Sequence, residues 1–120
     1  MAEEKRILVV DDDAAVATML SRALSRHGYK IDTARSGDEA LARAEDGGYD
    51  AAILDLVMPG RDGADLGIAL AAKRPGLTIA FLTGYRNSPL IDAVRRSGRA
   101  VFAKPVVVQE LVDYLKAELR

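Results

Sequence analysis

The chain has 120 residues, 49% apolar and 29% charged, with 17 Lys and Arg against 18 Asp and Glu; this suits one globular domain, excludes a disordered chain and suggests no general nucleic-acid groove. With no cysteine and a single histidine, His27, the chain cannot form disulfides, thiolate zinc sites, cysteine nucleophiles or a histidine-rich metal site. No apolar run approaches the roughly 18 residues of a membrane span and MAEEKR lacks a signal-peptide core, so the expected location is the cytoplasm.

The run Ile7-Leu8-Val9-Val10 predicts a first strand, and Val16, Leu20 and Leu24 the core stripe of a helix stopping at His27-Gly28. His27 reads as a helix-end residue compatible with the dipole, not as a ligand. Tyr29 to Ala34 alternates, which suits an edge strand. Ser36-Gly37-Asp38-Glu39 opens a short helix through Ala44, closed by Gly47-Gly48. The apolar run Ala51 to Leu54 is a third strand; Leu66 and Leu70 carry a helix that stops before Pro75-Gly76. Thr78 to Leu82 is a fourth strand, followed by a helix capped by Ser88, with Pro89 at its first position, that ends at Gly98. Ala100 to Ala103 is a fifth strand, and Leu111, Leu115 and Leu119 stripe a last helix. Continuous apolar runs suit strands covered on both faces, so five βα units predict one doubly wound, parallel α/β domain over residues 1–120.

In such sheets ligands bind beyond the carboxyl ends of the strands, near the reversal of strand order. That edge collects Asp11-Asp12-Asp13 after the first strand, Asp55 after the third, Thr83 after the fourth and Lys104 after the fifth. Taken singly these are weak signals: Asp12 or Asp13 would serve as a helix N-cap, and Thr83 and Lys104 as ordinary strand-end residues. Together, three unpaired carboxylates in one cleft would repel by several kcal/mol unless a cation intervenes. Carboxylate, carbonyl and water ligands favour Mg²⁺ or Mn²⁺ over Zn²⁺. An aspartate so neutralised can attack phosphorus and form an acyl phosphate, with Thr83 and Lys104 on the remaining oxygens.

The motifs ILVVDDD, ILDLVMPGRDG, FLTG and FAKP resemble, over nearly the whole chain, the receiver domain of two-component response regulators. The resemblance implies a flavodoxin-like (βα)5 fold with strand order 2-1-3-4-5, a cis Lys104-Pro105 bond and Asp55 as phospho-acceptor. The donor would be a histidine kinase or a histidine phosphotransfer protein, and phosphorylation would switch the binding of an unknown output protein. Asp12 would ligate Mg²⁺ (or Mn²⁺) directly and Asp11 through water, with Asp55 and the Val57 carbonyl completing the protein ligands. Thr83 and Lys104 would bond phosphoryl oxygens. The protein would be a signalling switch that assists its own phosphorylation and dephosphorylation, not an enzyme with turnover. The family also docks its phosphotransfer partner on the first helix and the loop before the last helix, tunes acyl phosphate hydrolysis at positions matching Val57 and Tyr85, and often dimerises through the fourth helix, fifth strand and fifth helix. Here Arg86, Arg95, Arg96 and Arg99 lie opposite in charge to Glu110, Asp113 and Glu118.

Two departures stand out. Val101 occupies the usual aromatic position three residues before the lysine, and Phe102 points to the other face. Phosphorylation is therefore expected to move Thr83 and its loop without a large aromatic rotamer change. Val106-Val107-Val108 opens the last helix without a polar cap; one or two of these valines are expected to pack, and the rest to join Ala15 and Met19 in an apolar patch. Competing readings are a haloacid-dehalogenase-like phosphatase, with Asp11 as nucleophile and Asp13 as acid/base, and a degenerate receiver that only binds protein. The chain stops near its last helical stripe and MAEEK reads like a natural start, so a stand-alone receiver or a piece of a longer regulator is expected, without an effector domain.

Overall fold

A computed structural model describes residues 4–58, 62–85 and 88–119. Pro59, Gly60 and Arg86, which entered the sequence reading, lie outside the described residues. Strands and helices alternate as β1 (Arg6–Val10), α1 (Ala14–Ser25), β2 (Lys30–Ala34), α2 (Gly37–Asp46), β3 (Ala51–Asp55), α3 (Gly63–Lys73), β4 (Thr78–Thr83), α4 (Pro89–Arg96), β5 (Ala100–Ala103) and α5 (Val108–Glu118). All five strands are parallel in the order β2-β1-β3-β4-β5, the expected flavodoxin-like arrangement. The direction of winding reverses after β2, so the carboxyl ends of β1 and β3 flank the crevice at the switch point.

Strand pleating sends alternate side chains to opposite faces. Ile7, Val9, Ile53 and Leu82 pack beneath Leu20 and Leu24 of α1 and Leu111 and Leu115 of α5. Leu8, Val10, Leu54 and Phe81 pack beneath α2, α3 and α4 through Ala40, Leu66, Leu70, Ile91 and Val94. Four helices begin on a capping side chain: Asp13, Ser36, Asp62 and Ser88 each accept from backbone N–H groups of the first turn. Glu39 reaches back to accept from Arg35 N–H, a variant of the reciprocal capping box. Gly28 and Gly98, with φ of +89° and +86°, turn the chain after α1 and α4, where a side chain would be strained.

Some boundaries differ from expectation. The second helix runs two residues past Ala44, to Asp46, before the Gly47 cap. The continuous apolar run Ala100 to Ala103 by itself suggested a strand covered on both faces, but β5 is the edge strand that the order 2-1-3-4-5 implied, with Ala100, Val101 and Phe102 only half-buried and Ala103 exposed. It pairs with β4 alone, and α4 and α5 each cover it only in part. Val101 packs on the α4 side, whereas Phe102 packs on the α5 side, its ring edge-on to Tyr114 at 5.5 Å. Of the three valines before α5, Val106 and Val108 pack against the α1/α5 core and Val107 stays exposed; α5 has no side-chain cap.

Gly63, the first residue of α3, touches the end of β3. Its N–H donates to Leu56 O at 2.8 Å, and a Cβ there would lie 2.1 Å from Asp55 O. The helix can approach the strand end only because that atom is missing. Gly63→Ala should cost about 2–3 kcal/mol in urea unfolding, as overpacking against backbone does. An unchanged midpoint would show that α3 is free to shift.

Candidate functional site

The carboxyl ends of β1, β3, β4 and β5 deliver their polar residues to one place. Among the described residues, carboxylate oxygens of Asp11, Asp12 and Asp55 lie within 4.8 Å of one another. Asp11 and Asp55 are buried and Asp12 is exposed. Lys104 Nζ stands 2.9 Å from Asp11 Oδ2 and 3.0 Å from Asp55 Oδ2. The peptide bond that follows it, Lys104-Pro105, is cis. Backbone donors fix the other oxygens: Asp13 N–H donates to Asp11 Oδ1 at 2.9 Å, and Val57 N–H donates to Asp55 Oδ1 at 3.1 Å.

The sequence reading treated the three carboxylates as unpaired, and that premise needs correcting. Lys104 already neutralises part of the cluster by bridging Asp11 and Asp55, leaving three negative charges against one positive. The contact with Asp55 is a hydrogen bond, whereas that with Asp11 is an ion pair off the hydrogen-bonding direction. Asp11 Oδ2 is therefore a fully buried acceptor without a hydrogen bond. Burial pushes the Asp55 carboxyl above its ordinary pKa, against the pull of Lys104 and the Val57 N–H, and the Asp11 charge adds to the rise. Burial alone would draw the Lys104 ammonium down, but Asp11 and Asp55 outweigh it and hold the ammonium above the usual lysine value.

Three carboxylates, two of them buried, around a single ammonium leave a net negative charge and an oxygen-only donor set that fit a small hard cation. Magnesium takes oxygen ligands at about 2.0–2.1 Å and keeps waters, so one ion can bridge such a cluster partly through solvent. Thr83 and Val57 are held beside this cluster in different ways. The backbone O of Thr83 accepts from Lys104 N–H at 2.8 Å, tying β4 to the residue that carries the ammonium. Its buried hydroxyl accepts from Tyr85 N–H at 3.1 Å, so it holds the following loop. Val57 and Tyr85 have exposed side chains. Asp13 is occupied elsewhere: its carboxylate accepts from Ala15 N–H at 2.9 Å as the α1 cap, which leaves the phosphatase alternative without its acid/base.

A family model described as the response regulator receiver domain matches residues 7–116. The chain belongs to that family. Receiver domains are signalling switches of two-component systems, and this receiver is 34% identical over 117 residues to the transcriptional regulatory protein ResD of Bacillus subtilis (strain 168), covering 98% of this chain and 49% of ResD. Identity to the response regulator MprA of Mycobacterium sp. (strain KMS) is 36% over 116 residues, covering 96% and 50%. The receiver thus spans about half the length of these curated relatives. Among solved structures it resembles a CheY-like receiver domain protein of Methanospirillum hungatei JF-1, with a TM-score of 0.90, 30% identity and coverage of 98% and 94%. It also resembles the response regulator TrrA of Thermotoga maritima in complex with Mg²⁺-BeF, with a TM-score of 0.84, 35% identity and coverage of 95% and 98%.

Sequence reasoning named Asp11, Asp12, Asp55 and Lys104, which the structure brings together at this edge, but missed two features of the receiver. One is the Val57 N–H, which orients Asp55; its only signal was the turn that must follow a strand-end aspartate. The other is the placement of Lys104 between two carboxylates, which no spacing in the chain could reveal. Removing that ammonium exposes the balance of charge directly. Lys104→Met should lower stability in EDTA by about 2–3 kcal/mol, because buried Asp11 loses its counter-ion. Mg²⁺ should then raise the melting temperature more in the variant than in the wild type. Equal Mg²⁺ responses would show that the cation does not meet these carboxylates.

Proposed function

We propose that residues 1–120 act as one receiver domain that accepts a phosphoryl group on Asp55 from a histidine kinase or histidine phosphotransfer protein. The observation that carries this reading is the joint placement of Asp55 with Asp11, Asp12 and Lys104 at the carboxyl edge of the sheet. One Asp55 oxygen attacks phosphorus as the bond to the donor nitrogen or oxygen breaks, forming an acyl phosphate. Burial raises the basicity of this carboxylate, and the Val57 N–H holds its orientation. Lys104 exchanges its contact with Asp55 for a phosphoryl oxygen, remaining close to Asp11. The Thr83 hydroxyl accepts from Tyr85 N–H and donates to Tyr85 O; it redirects its hydrogen to another phosphoryl oxygen, and the rotation that this needs also draws it away from Tyr85 N–H and releases the loop before α4. Asp11, Asp12, Asp55 and the Val57 carbonyl would hold Mg²⁺ (or Mn²⁺), which when bound neutralises charge on the transferring group.

The release of the Tyr85 N–H is the step that we propose changes the binding of an output protein. Since Phe102 already packs on Tyr114 and Val101 faces α4, the change runs through the loop and α4 without a large aromatic rotation. The arginines of α4 and the acids of α5 support a homodimer through α4, β5 and α5 in the active form. The setting we propose is the cytoplasm; among the described residues no helix is long and apolar enough to cross a membrane.

The phosphotransfer partner is proposed to dock beside the site. A groove of about 670 Å³ runs along α1 to the start of α5, lined by Ala15, Thr18, Met19, Arg22 and Val108. Met19 is 39% exposed and Val107 is 55% exposed, the apolar character that a partner helix would bury.

Incubation with acetyl phosphate and Mg²⁺ should place one phosphoryl group per chain on Asp55, and Asp55→Asn should abolish labelling. Repeated turnover of a phosphomonoester, or labelling that survives the substitution, would overturn this reading. Met19→Asp should slow transfer from a cognate phosphohistidine donor about tenfold, as loss of an interface anchor does, while acetyl phosphate labelling stays unchanged. Equal slowing of both reactions would place the effect in the site itself.

A further inference from the structure

The α1 face beside the phospho-acceptor edge is not uniform along its length. Its solvent side is built from two neighbouring rows at i, i+4 spacing, Ala14-Thr18-Arg22 and Ala15-Met19-Ala23, with Arg26 as the C-cap beyond them. The first turn follows Asp12 and the Asp13 cap and presents alanines, so a partner's backbone can come close there. The middle turn is apolar through the half-exposed Met19, and Val108 of α5 lines the same groove. The last turn is cationic. At 1.5 Å per residue, Arg22 lies about 10 Å and Arg26 about 16 Å along the axis from Ala15.

That cationic end lacks a counter-charge of its own. Arg22 and Arg26 are the only charged groups lining the groove among the described residues, and α1 contains no acid. Neither arginine forms an ion pair among the described residues. The whole chain carries a net charge of −1, so this excess of positive charge is local. An arginine near the end of a helix offsets the helix dipole whichever way it faces, a role that does not require both to line one groove. An apolar centre beside a rim of one sign is complementary to a surface that carries an apolar anchor and the opposite charge.

We propose that the phosphotransfer partner meets α1 with a helix that is apolar opposite Met19 and acidic opposite Arg22 and Arg26, about two to three turns farther from the acceptor edge. This occupant presupposes the docking on α1 proposed for the phosphotransfer partner and adds its charge. A partner helix with Lys or Arg at that level would bring like charges together, so the two arginines select among donors. Exposed charges also steer the encounter, which makes transfer depend on ionic strength.

The probe is one histidine phosphotransfer domain, phosphorylated on its histidine, in two versions that carry two Glu or two Lys on the docking helix at that level. Each transfer rate is divided by the same receiver's labelling rate with acetyl phosphate, which uses no docking helix. At low salt the Glu version should transfer to the wild-type receiver about tenfold faster than the Lys version, and about 0.5 M NaCl should shrink the difference to about twofold. Arg22→Glu combined with Arg26→Glu should reverse the preference, and Arg22→Gln combined with Arg26→Gln should remove it. Equal rates for the two versions, a preference that persists in the charge-reversed receiver, or one indifferent to salt would each overturn the proposal. Met19→Asp separates it from the docking reading. If that variant slows transfer from both versions while the wild type takes both equally, docking on α1 stands and the acidic partner falls. If it slows neither, the docking surface falls and the acidic partner with it.

Discussion

The structure turns on the contact of one ammonium with two buried carboxylates. Lys104 Nζ lies about equally far from Asp11 Oδ2 and Asp55 Oδ2, and those residues end different strands of the sheet. Burying two like charges together is costly, and a single lysine does not cancel them with Asp12 close by. The cluster therefore keeps a negative balance that favours added cation, while the lysine prevents the sheet edge from being forced apart. A phosphoryl group would enter where the electrostatics are already arranged for oxygen, metal and ammonium to meet.

That arrangement depends on the sheet more than on the side chains. The register pairs Val10 with Leu54, so that Asp11 and Asp55 leave the sheet at one level, while Asp55 lies level with Leu82 and Phe102, so that Lys104 stands two residues further along and reaches back to both. Two backbone bonds continue the ladder beyond the strands: Leu56 N–H donates to Leu82 O, and Lys104 N–H donates to Thr83 O. Gly63 lets α3 begin against the carbonyl of Asp55, at the end of β3. The hydroxyl of Thr83 is the movable part, bonded to the loop and not to the carboxylates. A parallel core thus carries one polar edge, and the Thr83 hydroxyl on that edge is bonded to the following loop.

The two helical layers differ in how completely they close. α1 and α5 interlock through leucines over Ile7, Val9 and Ile53, and surface apolar groups remain only around Met19 and the valines before α5. On the other layer, Gly67 of α3 lies close over the buried Phe81 ring, and Ile68 on the same helix stays exposed. The same pleat that hides Phe102 against Tyr114 turns Val101 toward this layer. Packing is tight where the chain needs a scaffold and open where a helix face is available for binding.

Local chemistry alone settled much of this protein. Apolar runs separated by capped helices dictated five βα units, since a continuous run needs cover on both faces and Asp13, Ser36 and Ser88 must satisfy free N–H groups. The carboxyl-edge rule then named Asp11, Asp12, Asp55, Thr83 and Lys104 as neighbours. The edge position of β5 followed from the strand order that the family resemblance implied and not from its apolar run, because apolar content reports burial in sum and not which strand lacks a partner. The bridging place of Lys104 was not legible, since it depends on distances between residues far apart in the chain. Periodicity and capping act within a few residues and can be read from sequence; ion pairing and cavity shape arise only when separate elements meet, and tertiary packing decides them.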